Sequence, residues 1–400
     1  MLALPVIYSA SQSAGSIMDL YNDDLLPRDS SLPGDRMEPL VVRVDKGLAG
    51  FENRPVWRRG VRLAKIVALI FGALWAIDGY FNFQMGLYRL LPAKVLAASA
   101  GQPSFLGGWY SWWYSFVSTY PMIAAYGTGI LELMVAAALI LGFARKVAYI
   151  GGIALALLIW SVVEGFGAPY GPGSVTVGQS NIYAIGLLLL IVFNSTYGSN
   201  PYTLDRIIER KYPWWSKVAE MPKITPSGLK GWFARNSMKL SRGFAVVFGL
   251  VYLAEAYLAF RYDLAGNIVA VVQSQSSSAP SFLSGWFAFW KGQVAAAPAF
   301  YAAAVGILEA LLAISLMLGL GRKVGYAGGA VFAIIAWGVG EGFGGLPASG
   351  YTDPGTGIIQ AIVFLMLLSL NATHGTDPFT LDARIEKRFR WWRRIAEMSY

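Results

Sequence analysis

Carboxylates inside apolar runs are the first residues in this chain that could do chemistry. Glu132 and Glu309 each lie about ten residues into a long apolar stretch. An ionised carboxylate at such depth in a bilayer costs several kcal/mol, so the group is held protonated or paired. One reading makes these glutamates proton donors or acceptors beside a quinone or along a proton path. The other makes each a neutral carboxyl whose hydrogen bond locks two helices. Asp78 and Glu255 stand near the far ends of two further runs. Glu164 and Glu341 end two more, each followed by Gly-Phe-Gly. Two carboxyl groups at one mouth hold their proton affinities apart, which suits proton exchange. Solvated helix-end residues are the alternative.

The loop after Glu341, EGFGGLPASGYTDPGTG, carries Asp353, and Gly-rich turns of this kind can offer backbone N–H groups to an anion. The loop after Glu164 has Thr176 at the corresponding position, so the later loop is the better candidate. Glu309, Glu341 and Asp353 are therefore the expected proton and substrate groups. Glu132, Trp337 and Tyr326 are the expected quinone contacts, with the aromatics Tyr149, Tyr326, Trp160 and Trp337 equally readable as packing. The chain has no cysteine and one histidine, His374, which excludes disulfides, thiol catalysis, Fe–S and bis-His haem ligation within it. No metal site is expected, and an electron carrier other than quinone would have to come from a partner.

The elements that position these groups repeat. Gly129–Glu164 aligns without a gap on Gly306–Glu341 at an offset of 177 residues, and the register extends to Asp205 on Asp382 and the Trp214-Trp215 pair on Trp391-Trp392. A fixed long period of this kind is the mark of internal duplication. Composition puts the repeats in a membrane: 56% of residues are hydrophobic and 14% charged, with 45 Gly and 14 Trp and a mean hydropathy of +0.49. Runs of about 18–22 apolar residues suffice to cross a bilayer as helices. Spans are expected near 61–83, 122–141, 147–163 and 181–194, and again one repeat later. The intervening Trp-rich segment around Trp109–Tyr114 reads as interfacial or re-entrant.

The expected fold is all-α and integral to the membrane: eight transmembrane helices in two four-helix repeats. Four spans per unit is an even number, so the repeats run parallel. The expected divisions are an irregular arm over 1–56, a first repeat with a surface helix over 57–221, a linker over 222–241 and a second repeat over 242–400. The net charge of +9 follows the positive-inside rule if both termini are cytoplasmic, because of 32 basic residues only Arg89, Lys94, Arg261 and Lys291 then fall outside. Nucleic acid is not needed to explain it. The Arg145-Lys146 and Arg322-Lys323 hinges read as topology anchors, with phospholipid headgroup contact as the next role. The N-terminal stretch MLALPVIYSASQSAG lacks a basic region, so a cleaved signal is not expected.

The hairpin, with Gly129–Glu132 before Gly142–Arg145 and Gly306–Glu309 before Gly319–Arg322, resembles the DoxX-like membrane family. The later loop, EGFGG followed by GYTDPGTGII, looks closest to its DoxD branch, which includes the large subunit of thiosulfate:quinone oxidoreductase. The resemblance implies four-span bundles, plasma-membrane localisation and electron transfer from thiosulfate to quinone with release of tetrathionate. It also implies other membrane subunits of a respiratory complex as partners, beside the lipid bilayer. The first copy departs from the branch by lacking the Thr-Asp-x-Gly-Thr loop. Two other functions stay open: a non-catalytic accessory subunit of a respiratory complex, and a transporter.

Overall fold

The computed structural model describes residues 55–83, 87–167, 177–197, 202–219, 236–261, 264–278, 281–344, 354–374 and 377–397. The amino-terminal arm and Asp353 lie outside the described residues. Among the described residues every regular element is a helix. The first half runs α1 (Pro55–Phe81), α2 (Leu87–Ser99), α3 (Gly107–Thr119), α4 (Pro121–Leu141), α5 (Arg145–Val162), α6 (Ser180–Tyr197), α7 (Leu204–Lys211) and α8 (Ser216–Ala219). The second runs α9 (Ser237–Arg261), α10 (Leu264–Ser278), α11 (Ser284–Ala296), α12 (Pro298–Leu318), α13 (Arg322–Gly340), α14 (Thr356–His374), α15 (Leu381–Arg388) and α16 (Arg393–Ala396).

Among the described residues five helices are long and apolar enough to cross a membrane: α4, α5, α9, α12 and α13. At 1.5 Å per residue the 21-residue α4 and α12 reach about 32 Å, matching a hydrocarbon core of roughly 30 Å. The apolar parts of α6 and α14 are shorter. α9 begins at Ser237, within the stretch expected as linker. The Trp-rich segment forms a 3₁₀ turn followed by α3.

Local chemistry sets the ends of the hairpins. Pro121 and Pro298 open α4 and α12, where a missing N–H costs nothing. Gly142 and Gly319 close them, with their N–H groups returning to Ala138 and Ser315 carbonyls. Cations satisfy neighbouring carbonyls at the same ends. Lys65 Nζ donates to Ile140 O at 2.5 Å, and Arg242 donates to Leu316 O and Met317 O.

The main apolar cluster, beside a smaller one around Val95, Tyr110, Val117 and Val162 in the first half, is shared by both halves. Its centre is α6 and α14, which pack on each other and also on α9 and α1 of the opposite halves. Ile182, Leu187, Phe193, Ile359, Val363 and Phe364 are fully buried there. Elsewhere α1 packs on α4 at very short range. A Cβ on Gly129 would meet Asn82 Cβ at 2.7 Å, so a side chain there would push the helices apart. The outward faces are apolar: Ile123, Ile130 and Met134 on α4, and Phe300, Ile307 and Leu311 on α12, are exposed. Such faces suit lipid.

The surface segment α15–α16 carries a buried acid pair. Burial and then the neighbouring Glu397 push the Glu386 carboxyl up to about 7, while Arg393 Nε lies 3.4 Å from it. A proton held more tightly in the folded than in the unfolded chain stabilises the fold at low pH. That contribution is lost as pH rises from about 4.5 through about 7. Amide exchange in α15 should therefore speed up relative to α13 between pH 5 and pH 8, after correction for the intrinsic rate. Glu386→Gln should abolish the difference. A flat profile in the parent protein would contradict the pairing.

Candidate functional site

The second half gathers three carboxyl groups among four helices. Glu255 on α9 is buried and accepts from Gln360 Nε2 on α14, at 3.0 Å to Oε2 and 3.3 Å to Oε1. Gln360 Oε1 in turn accepts from Tyr252 Oη at 3.0 Å. Tyr252 and Glu255 stand three apart on α9 and so share one face. Glu309 of α12 and Glu341 at the end of α13 lie within electrostatic range of Glu255. Glu309 Oε2 is buried and has no hydrogen-bond partner among the described residues. No ion pair reaches Glu255 or Glu309 among the described residues.

The positions 177 residues earlier are chemically different. Trp75 and Tyr183 stand for Tyr252 and Gln360, and their rings pack edge to face with centroids 5.0 Å apart. Glu132, the counterpart of Glu309, is buried and accepts from Asn82 Nδ2 at 2.6 Å. The second half has Ala259 where the first has Asn82. One half therefore satisfies its mid-span carboxyl with a local amide, and the other leaves an oxygen open. Glu132 thereby ties α4 to the end of α1.

Glu164 and Glu341 are less solvated than helix-end residues would be. Glu164 accepts from the N–H groups of Gln179 at 2.9 Å and Ser180 at 3.2 Å, and from Ser180 Oγ at 2.8 Å. Glu341 Oε2 accepts from Gly357 N at 3.0 Å. Each carboxylate thus caps the start of the next apolar helix, where the helix dipole favours negative charge. Gly355 makes this possible. It has φ +94°, and an added Cβ would lie 2.5 Å from Glu341 Oε2 and 2.8 Å from the Trp337 ring. Gly355→Ala should cost about 1–3 kcal/mol from the backbone strain alone, read as a lower unfolding midpoint in detergent. An unchanged midpoint would show that the cap is dispensable.

The other expected quinone contacts are not brought together. Trp337 braces the outer loop, donating Nε1–H to Pro354 O at 2.7 Å. Tyr326 is buried near the start of α13, about 16 Å along the helix from Trp337. Glu132 belongs to the first half. Of the expected proton groups, Glu309 and Glu341 are close to Glu255.

The Arg-Lys hinges lie deeper than surface anchors need to: Arg145 and Arg322 are both buried. Arg145 Nε donates to Asp205 Oδ2 at 2.9 Å, and Arg322 Nε to Asp382 Oδ2 at 3.1 Å. Each Asp also accepts two hinge N–H groups and one indole N–H, from Trp215 or Trp392. These pairs pin α7 and α15 to the hinges. Sequence reasoning matched the two Asp residues in register but did not connect them to the arginines. The signal available was the shared spacing of 60 residues from Arg145 to Asp205 and from Arg322 to Asp382.

The fold and the apolar helices define a multi-pass, all-helical membrane protein. No protein-family model, curated protein or solved structure matches the chain.

Proposed function

We propose that this chain is the membrane subunit of a quinone-linked respiratory oxidoreductase of the plasma membrane, with the second half as the working half. Its architecture in this reading is eight spans in two parallel four-helix repeats with cytoplasmic termini. The observation that carries the reading is Glu309, whose buried Oε2 lacks a partner among the described residues, beside the Glu255–Gln360–Tyr252 chain. A quinone would supply a two-electron, two-proton acceptor, and Glu309 is the residue fitted to meet one of its oxygens. Within the chain, Glu309 holds a proton on its open oxygen. Gln360 fixes the Glu255 carboxyl in place, and Glu255 lies in electrostatic range to support a second proton. Glu341, tied to the start of α14, sets the charge on the loop side.

The resemblance of the later outer loop to the DoxD branch points to thiosulfate as donor, two thiosulfates giving up two electrons to form tetrathionate. Asp353 in that loop would then act on the donor side. An accessory role in a larger complex is favoured by one feature. Phe105 and Phe282, 177 residues apart, are 80% and 82% exposed and offer aromatic contact sites. Protein purified in mild detergent and assayed with thiosulfate and a short-chain quinone analogue tests both. Thiosulfate-dependent quinone reduction, impaired by Asp353→Asn, is expected. No reduction, together with co-purifying haem-containing chains and no bound quinone, would establish the accessory role instead.

A further inference from the structure

At the Arg-Lys end of the bundle each half has a small, half-open cavity. Lys65, Arg145 and Asn194 line the first, and Arg242, Arg322 and Asn371 line the second. The first holds about 30 Å³ and the second about 20 Å³. Roughly 10–15 Å³ on this measure admits one water, so each has space for a small group.

The two differ in charge balance. In the second half Arg242 and Arg322 have two carboxylates to answer them, Asp382 and Asp377. Asp377 lines the cavity and feels the charge of both arginines. The first half keeps both cations but has Asn200 in the sequence position of Asp377, leaving Asp205 as the carboxylate paired with Arg145. Glu386, which senses Arg322, does not alter the comparison, because Glu209 stands at the matching position. The difference between the halves is one negative charge.

Hydrogen bonding leaves donors to spare in the first cavity, and the amide is where the halves differ. Arg145 is 4% exposed and Asn194 7%, yet Arg145 Nη2 and Asn194 Nδ2 have no partner among the described residues. Both are donors. Lys65 Nζ, bonded to Ile140 O, has further N–H groups to give. In the second half the matching amide is satisfied, with Asn371 Nδ2 donating to Ala396 O at 2.9 Å. A second cation beside a buried ion pair leaves positive charge to be answered. Donors converging on one cavity, where the sister half places one more carboxylate in the lining, suit an acceptor of one negative charge.

We propose that the first-half cavity binds a singly charged oxyanion where the second half supplies Asp377: the phosphodiester of a lipid from the adjoining leaflet, or free phosphate. The site is separate from the carboxyl cluster and independent of the redox reading.

The test uses the full chain, delipidated in a neutral detergent, with phosphatidylglycerol or inorganic phosphate added. The wild type should gain roughly 2–4 °C in unfolding midpoint. Native mass spectrometry should retain one phosphatidylglycerol per chain. Lys65→Met, which leaves the Arg145–Asp205 pair intact, should lose both effects. Asp377→Asn should create a second site and bind two. A response to lipid alone assigns the headgroup as the source; a response to both shows that free phosphate enters. If neither ligand shifts the wild type, or if Lys65→Met responds as the wild type does, the proposal is overturned.

Discussion

Asp205→Asn is expected to destabilise the protein by about 3–5 kcal/mol, the cost of leaving a buried cation without its counter-ion. Asp205 is fully buried and takes four donors: the N–H groups of Ala144 and Arg145 at 2.7 and 3.2 Å, Arg145 Nε at 2.9 Å, and Trp215 Nε1 at 2.8 Å. An asparagine offers one oxygen to this set, carries no charge, and turns an N–H donor group toward other donors. The loss should fall on the contact between α7 and the α4–α5 hinge, exposing α7 amides to exchange before the apolar core opens. Asp382→Asn should cost less, because Asp377 remains within the field of Arg322. Denaturant titration of the two variants in mixed micelles measures both effects. A loss within about 0.5 kcal/mol, ordinary for a surface site, would show that the buried pair does not hold the hinge. Equal losses would show that Asp377 gives Arg322 no support.

Much of this fold is legible in the sequence because membrane spans announce themselves by length and apolarity alone. The ends of α4 and α12 fall within a residue of expectation, since Pro121 and Gly142, or Pro298 and Gly319, leave little freedom for where a helix starts or stops. Burial of the hinge arginines was not legible. Arg145 followed by Lys146 reads as a surface hinge, and only folding brings Asp205 back to it. The working details of the carboxyl cluster were hidden for the same reason. Glu255 stands out in an apolar run, but Gln360 acquires meaning only once α14 lies beside α9, and Tyr252 is one aromatic among many. The inequality of Glu132 and Glu309 was present in the sequence as Asn82 against Ala259, but its consequence required the contact between the end of α1 and α4. Asp353 remains an expectation of sequence.

Glu309→Gln should lower the rate of quinone-analogue reduction by about 10²-fold or more, the usual worth of a positioned proton donor or acceptor. The fold should tolerate it, since Oε2 has no partner to lose among the described residues. Glu132→Gln should leave the rate unchanged, because that carboxyl already serves Asn82. The contrast uses the sister half as an internal control: same depth, same residue, different neighbour. Ala259→Asn sharpens it. This change keeps the Glu309 carboxyl but supplies the amide that Asn82 gives Glu132, occupying the open oxygen. A loss of roughly tenfold is expected, corresponding to about 1.4 kcal/mol of competing hydrogen bond. The three variants together separate chemistry from packing. If Glu309 were a helix lock, Ala259→Asn would stabilise the protein without slowing it, and Glu309→Gln would change the unfolding midpoint more than the rate. If Glu309 is the proton group, the rate falls in both and the midpoint falls in neither. Equal losses in Glu132→Gln and Glu309→Gln would remove the reason for assigning the work to the second half.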